Sequence, residues 1–232
     1  MKKAFIIMGP PGSGKGTQAN LLAEKYGLFH LDTGRFLESL VHNPDLQNDQ
    51  EVQKERERFD SGKLLTPGFF LKHLTRQVEL IAQGGSGIVF SGSPRTTQEA
   101  FEGAGGQPSL METLEKLYGK ENIVIFLLIA PDEVSMERNS KRVLCSVCKT
   151  PVLGILNLNL KQCPSCGGEL YTRTLDKPDI IKERLEVYRA ETFPVVEGLE
   201  KRAFIVTKID ATPMPYKIFE TISSHIDDSY QK

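Results

Sequence analysis

Ala4-Phe5-Ile6-Ile7-Met8, then Gly9-Pro10-Pro11-Gly12-Ser13-Gly14-Lys15-Gly16-Thr17, then a helix-like stretch to Tyr26: this order decides how the chain is read. Five successive apolar residues suit a strand buried on both faces. The glycines let successive backbone N–H groups curl toward one point, and the helix start behind them adds partial positive charge there. Lys15 supplies a mobile full charge for outer phosphates. Together these make a P-loop in its required strand–turn–helix context. A glycine-rich connector without function is the plainer reading, and the lysine at the right offset weighs against it. Gly9, Gly12, Ser13, Gly14, Lys15, Gly16 and Thr17 are the candidate phosphate-binding residues. The usual hydroxyl directly after the lysine is absent; Gly16 stands there and Thr17 follows one position later.

Outward from this motif, short apolar runs alternate with helical patterns, the signature of a parallel sheet flanked by helices. Further strands are expected at Gly87 to Ser91, Asn122 to Ala130 and Ala203 to Thr207, with another around Phe29 and Leu31. Glu51 to Asp60 is highly charged and reads as a solvated surface helix. Thr66 or Pro67 opens a helix with Phe69, Phe70, Leu74, Val78 and Ile81 near one stripe, and Pro178 opens another. Met214 to Ile226 reads as a closing helix and Gly103 to Pro108 as a loop. Val143 to Tyr171 breaks the alternation as a small insertion.

The 232 residues are 39% apolar, enough for one domain with an ordinary core. A net charge of −1 argues against bulk nucleic-acid binding, so phosphate recognition must be local. Ile123 to Ala130 is the longest apolar run and is too short to cross a bilayer. The apolar stretch after Met1-Lys2-Lys3 is shorter than a secretory core, and a cytoplasmic protein is expected. No dimerisation seam is evident, which leaves a monomer as the default expectation.

All four cysteines fall in Cys145-x2-Cys148-x14-Cys163-x2-Cys166. This spacing fits a four-thiolate structural zinc site, with Gly167-Gly168 suited to a tight turn after the last ligand. A disulfide pair and a redox CxxC are the alternatives, and iron on the same thiolates stays open.

GPPGSGKGT, with glycine after the lysine, resembles the adenylate kinase family of nucleoside monophosphate kinases, and the similarity runs along nearly the whole chain. Asp32-Thr33-Gly34 is similar to the start of the family's acceptor-binding helix. Ser61-Gly62-Lys63-Leu64-Leu65-Thr66 is similar to its GKLVT segment, whose backbone holds the acceptor base, and Gly92-Ser93-Pro94-Arg95-Thr96 to its GFPRT motif. Arg138 and Arg142 match arginines entering the lid; Arg173 and Arg184 match those leaving it.

The resemblance implies a P-loop α/β core over residues 1–142 and 173–232, an acceptor-binding arm at about 33–66 and a zinc lid over 143–172. It implies transfer of the ATP γ-phosphoryl group to a nucleoside monophosphate, most simply AMP, with Mg²⁺ accompanying ATP. Nucleotides are the expected partners, without nucleic acid or membrane. Lys15, Arg95, Arg138, Arg142, Arg173 and Arg184 are then the catalytic cations, with Arg138 and Arg142 also on ATP. Thr33, Lys63, Leu64, Leu65, Gly92, Arg95, Glu99, Arg173 and Arg184 face the acceptor. The arginines also make sense without the family. Two phosphorylated reactants crowd negative charge into one cleft, and multi-donor guanidinium groups stabilise it.

The acceptor side departs from the family pattern. Thr33-Gly34-Arg35-Phe36-Leu37-Glu38 stands for TGDMLR, so Glu38 replaces an arginine and Arg35 an acid. These two are expected either as a local i,i+3 ion pair or as a rebuilt phosphate contact. Ser91 replaces an aspartate that helps to hold hydrated Mg²⁺, Ser93 replaces an aromatic, Glu99 takes the place of a glutamine near the acceptor adenine, and Leu175 replaces one of two acids, leaving Asp176. Another monophosphate as acceptor, or a nucleotide-binding regulatory protein with weak transfer, therefore stand beside the AMP reading.

Overall fold

In the computed structural model, residues 3–152, 160–173 and 176–230 are described, the backbone alone at 228–230; Leu175 lies outside them. Five parallel strands form the central sheet: β1 (Ala4–Met8), β2 (Leu28–Asp32), β3 (Gly87–Ser91), β4 (Ile123–Ile129) and β8 (Val206–Asp210), in the order β2-β3-β1-β4-β8. Strand β1 is central, as its unbroken apolar run requires. Its residues alternate between two cores. Ala4, Ile6 and Met8 join the core that contains Phe69, Leu71, Leu74, Val78, Leu114 and Leu199. Phe5 and Ile7 join the core formed with Ala19, Leu22, Ile218, Ile222 and Ile226. These two faces are covered by helices α4 (Pro67–Gln83), α5 (Leu110–Tyr118) and α8 (Phe193–Lys201) on one side, and by α1 (Lys15–Tyr26) and α9 (Pro215–Tyr230) on the other.

Strand β1 leads to β2, which lies beyond β3, while β4 adds on the opposite side of β1. The order therefore reverses beside β1, and the crevice past the strand ends at such a switch point is where open α/β sheets bind ligands. The P-loop occupies that crevice.

Two expectations need correction. The run from Ala203 to Thr207 is not a strand from its start, since β8 begins at Val206. Ala203 takes a left-handed φ of 58° and closes α8, while Phe204 is buried and Ile205 is 84% exposed. The first part of that apolar run is a helix stop. Nor is the charged stretch at Glu51 wholly solvated. Helix α3 (Gln50–Asp60) buries Val52 and Glu55, and the Glu55 carboxylate accepts bonds from the Thr66 N–H at 2.9 Å and Oγ1 at 2.7 Å. A buried carboxylate is costly without such donors; here it ties α3 to the start of α4.

The insertion is a separate antiparallel sheet, β6-β5-β7, from β5 (Val143–Cys145), β6 (Pro151–Val152) and β7 (Leu170–Tyr171). It follows helix α6 (Asp132–Ser140) and precedes α7 (Pro178–Val187). Helix α2 (Thr33–Val41) completes the elements around the cleft.

Candidate active site

The P-loop backbone explains its glycines. Gly9 has φ 143°, and a Cβ there would lie 2.6 Å from the Leu128 carbonyl oxygen. Gly12 has φ 83°, and its Cβ would meet Asn139 Nδ2 at 2.5 Å. A side chain at either position would force β4 or α6 away. Lys15 curls back over this loop and donates to the carbonyls of Gly9 and Pro10, both at 2.8 Å.

Lys15 does not stand alone. Burial in the cleft, then the charges of Arg184, Arg95 and Arg142, bring its pKa down to about 7, and Asp32 opposes them. Arg184 is brought down to about 10 by burial and by Arg142, Arg173 and Arg95, with Asp176 opposing. Five expected site cations thus converge: Lys15, Arg95, Arg142, Arg173 and Arg184. Asp176, with a fully buried side chain, holds two of them. It accepts from Arg142 Nε at 2.9 Å and Nη2 at 2.5 Å, and Arg184 lies 3.6 Å away. The sequence marks Asp176 only as a remaining acid; in the fold it braces Arg142, just after α6, against Arg184 on α7.

Arg138 is placed differently. Its guanidinium donates to the carbonyls of Ala211 at 2.6 Å, Thr212 at 2.9 Å and Pro213 at 3.2 Å, and it is not among the charges acting on Lys15. It lines the same cleft.

On the opposite wall, Arg95 is fixed through its backbone and side chain. Glu99 accepts from the Arg95 N–H at 2.7 Å, and Arg95 Nε donates to the Gly92 carbonyl at 2.8 Å. Burial raises the Glu99 pKa. Gly92 has φ 101°, and a Cβ would press on Thr33 Oγ1 at 3.1 Å. Ser93, where the family has an aromatic, donates to Thr33 Oγ1 at 3.0 Å, and Thr33 donates to the Ser91 carbonyl at 3.3 Å. Lys63, Leu64 and Leu65 line the cleft beside them.

The expected Arg35–Glu38 pair does not form. Arg35 instead pairs with Asp32 at 3.3 Å and donates to the Lys149 carbonyl at 2.8 Å, because Asp32 caps α2 one turn earlier and the inserted sheet offers an acceptor. Glu38 is exposed at the cleft wall.

The cleft these residues enclose has a volume of about 1430 Å³ and reaches from the P-loop past Arg95 to Leu64. Ligand sites for one drug-sized molecule run to about 1,000 Å³, so two nucleotides are within its capacity. At its phosphate end the donors are oxygens: the Thr17 hydroxyl, the Asp32 carboxylate and the Ser91 hydroxyl. Such a hard set fits Mg²⁺.

The four thiols lie within 4.8 Å of one another. Cys145 and Cys166 sulfurs are 3.4 Å apart and those of Cys148 and Cys163 3.7 Å. Disulfide sulfurs would be about 2.05 Å apart, so these cysteines are unpaired. Tetrahedral zinc with Zn–S bonds of about 2.3 Å spaces its sulfurs about 3.8 Å apart, so the donor set fits. The residue after each CxxC takes a left-handed conformation, Lys149 at φ 56° and Gly167 at φ 72°. Gly168 is needed for another reason: a Cβ there would lie 2.8 Å from Cys145 Sγ.

Fold and cleft are those of a P-loop nucleotide-binding protein with a four-cysteine insertion. The family model "Adenylate kinase" matches residues 7–204. A protein named adenylate kinase from Caldicellulosiruptor saccharolyticus is 31% identical over 88% of this chain and 90% of its own. One from Syntrophomonas wolfei is 30% identical over 96% and 98%, and one from Methanothrix thermoacetophila 33% over 94% and 96%. The chain belongs to the adenylate kinase family, that of the nucleoside monophosphate kinases.

Proposed function

We propose that this chain transfers the γ-phosphoryl group of ATP to AMP, giving two ADP. The observation that carries this reading is the convergence of Lys15, Arg95, Arg142, Arg173 and Arg184 between the P-loop and the Gly92–Arg95 segment. Phosphoryl transfer asks little covalent chemistry of a protein; positioning and charge stabilisation do most of the work. The P-loop N–H groups and Lys15 hold the donor phosphates. Arg142 and Arg184, braced by Asp176, face the transferring group, and Arg95 and Arg173 hold the acceptor phosphate. Arg138 and the carbonyls beside it border the donor base. Mg²⁺, when bound with ATP, supplies charge neutralisation at the phosphate oxygens. Residues 143–172 act as a lid and 33–66 as the acceptor arm, and their closure excludes water as a competing acceptor.

The test is product formation from ATP with each common monophosphate in turn. AMP should turn over fastest. A faster rate with another base would reassign the acceptor to that base, for which Glu38 and Glu99 in the cleft wall are the motive. Tight ATP binding without turnover of any acceptor would replace catalysis by a regulatory nucleotide-binding role.

A proton should be taken up on binding. The free protein holds Lys15 near 7, against an ordinary 10.5, and polyphosphate stabilises its charged form. Above neutrality the free lysine is largely neutral while the complex keeps its proton. ATP affinity should therefore fall as pH rises from about 7 toward 10, with uptake approaching one proton near pH 8. Calorimetry in two buffers of different ionisation enthalpy measures this, and no uptake would mean that Lys15 is already charged in the free cleft.

A further inference from the structure

The cleft contains a chain of side chains that the proposed reaction has not used. Asn20 Oδ1 lies 2.6 Å from His30 Nδ1, and His30 Nε2 lies 2.7 Å from Ser91 Oγ. Asn20 is on α1, His30 on β2 and Ser91 at the end of β3. With Nδ1–H donating to the Asn20 oxygen, Nε2 is the acceptor and the Ser91 hydroxyl donates to it. A serine hydroxyl has one hydrogen and two lone pairs. Once that hydrogen is committed to His30, Ser91 presents only acceptors to the cleft.

Beside it stands Asp32. The β2–β3 register pairs Asp32 with Ser91, so both sit at the same level, as the last residues of their strands. Asp32 is also the carboxylate whose charge acts on Lys15. P-loop proteins commonly hold the nucleotide's cation with a hydroxyl of the loop and an aspartate from a nearby strand end. Position 91 cannot supply that charge, and position 35 carries a cation.

We propose that Asp32 and Ser91 hold the waters of the divalent cation that accompanies ATP, with Ser91 turned into a fixed acceptor by the Asn20–His30 pair. Metal-bound water is a strong donor, and a hydroxyl locked as acceptor together with a neighbouring carboxylate gives it two partners without an aspartate at 91. Asp32 and Ser91 are then cation-positioning residues, and His30 acts through Ser91. The inference rests on the reading of the cleft as an ATP site.

Mn²⁺ serves as the probe, its binding followed by electron paramagnetic resonance on the full chain with a non-hydrolysable ATP analogue. Analogue affinity is measured separately in chelator. D32N keeps the size of the side chain and an oxygen to cap α2, so its fold should survive. D32N and S91A should each weaken Mn²⁺ in the complex by about tenfold, the usual cost of losing an outer-sphere partner. Metal-free analogue affinity should hold or rise for D32N, which removes a negative charge. H30F should give a smaller loss of the same sign, and H30Q, whose amide oxygen can accept from Ser91, should recover it. Mn²⁺ affinity within about twofold of the parent in both D32N and S91A would overturn the proposal. Lowered thermal stability with that result would reduce the Asn20–His30–Ser91 chain to a structural pin. Failure of the unaltered chain to bind the analogue at all would instead reject the ATP reading beneath it.

Discussion

Lys15→Ala is expected to lower phosphoryl transfer from ATP by roughly a thousandfold or more, while circular dichroism and thermal midpoint stay close to those of the parent chain. Loss of one preorganised donor to developing charge costs about 10²–10³ in turnover, and Lys15 is both a donor and a full charge. The fold should not suffer for a physical reason. In the free protein this ammonium is already disfavoured, by burial and by Arg184, Arg95 and Arg142. Alanine removes that repulsion at the loss of two bonds, to the Gly9 and Pro10 carbonyls, and Gly9 lines the cleft. The assay is steady-state ADP formation; near-parental turnover would remove the P-loop from the mechanism.

Stripping metal from Cys145, Cys148, Cys163 and Cys166 should collapse protection against hydrogen exchange in the inserted sheet and leave the five-stranded sheet protected. The insertion has little else to hold it. Its strands are two or three residues long, and of its described residues few besides Leu144, Cys145 and Cys163 are buried. Structural zinc contributes about 10–16 kcal/mol in small modules of this kind, far more than such a sheet can supply. Transfer should fall too, because Arg142 and Arg173 flank the insertion. Unchanged protection after chelation would show that the cysteines do not organise the sheet through metal. Four thiolates leave no open position, so chemistry at the metal itself is not expected.

Much of this architecture was legible in the sequence because its signals are local. A strand run into Gly9-to-Thr17 needs no knowledge of the rest of the chain, and neither does a doubled CxxC. The apolar runs at β3 and β4 announced themselves in the same way, with ends shifted by no more than a residue. What escaped were partnerships between distant positions. Asp176 meets Arg142 across 34 residues, and His30 meets Ser91 across 61. Nothing in the spacing of either pair marks it. The Glu55 carboxylate looked like one more surface charge until its bonds to Thr66 gave it a buried role. Arg35 misled by proximity. Glu38 lay at helical distance, yet the cap residue Asp32 offered a nearer carboxylate. Arg138 and Arg142 are four apart on or beside one helix and resemblance grouped them, but their guanidiniums take different partners, the carbonyls after β8 for Arg138 and the Asp176 carboxylate for Arg142.

The crowding of five cations against Asp32 and Asp176 has a kinetic corollary. The molecule as a whole carries a formal charge of −1, so its outer surface is slightly anionic while its mouth is strongly cationic. Field lines from such a mouth guide phosphorylated metabolites inward from solution and raise their encounter rates, an advantage that dissolved salt erodes. The same focusing welcomes sulfate and inorganic phosphate, so the buffer around this protein is itself a competitor for the seat.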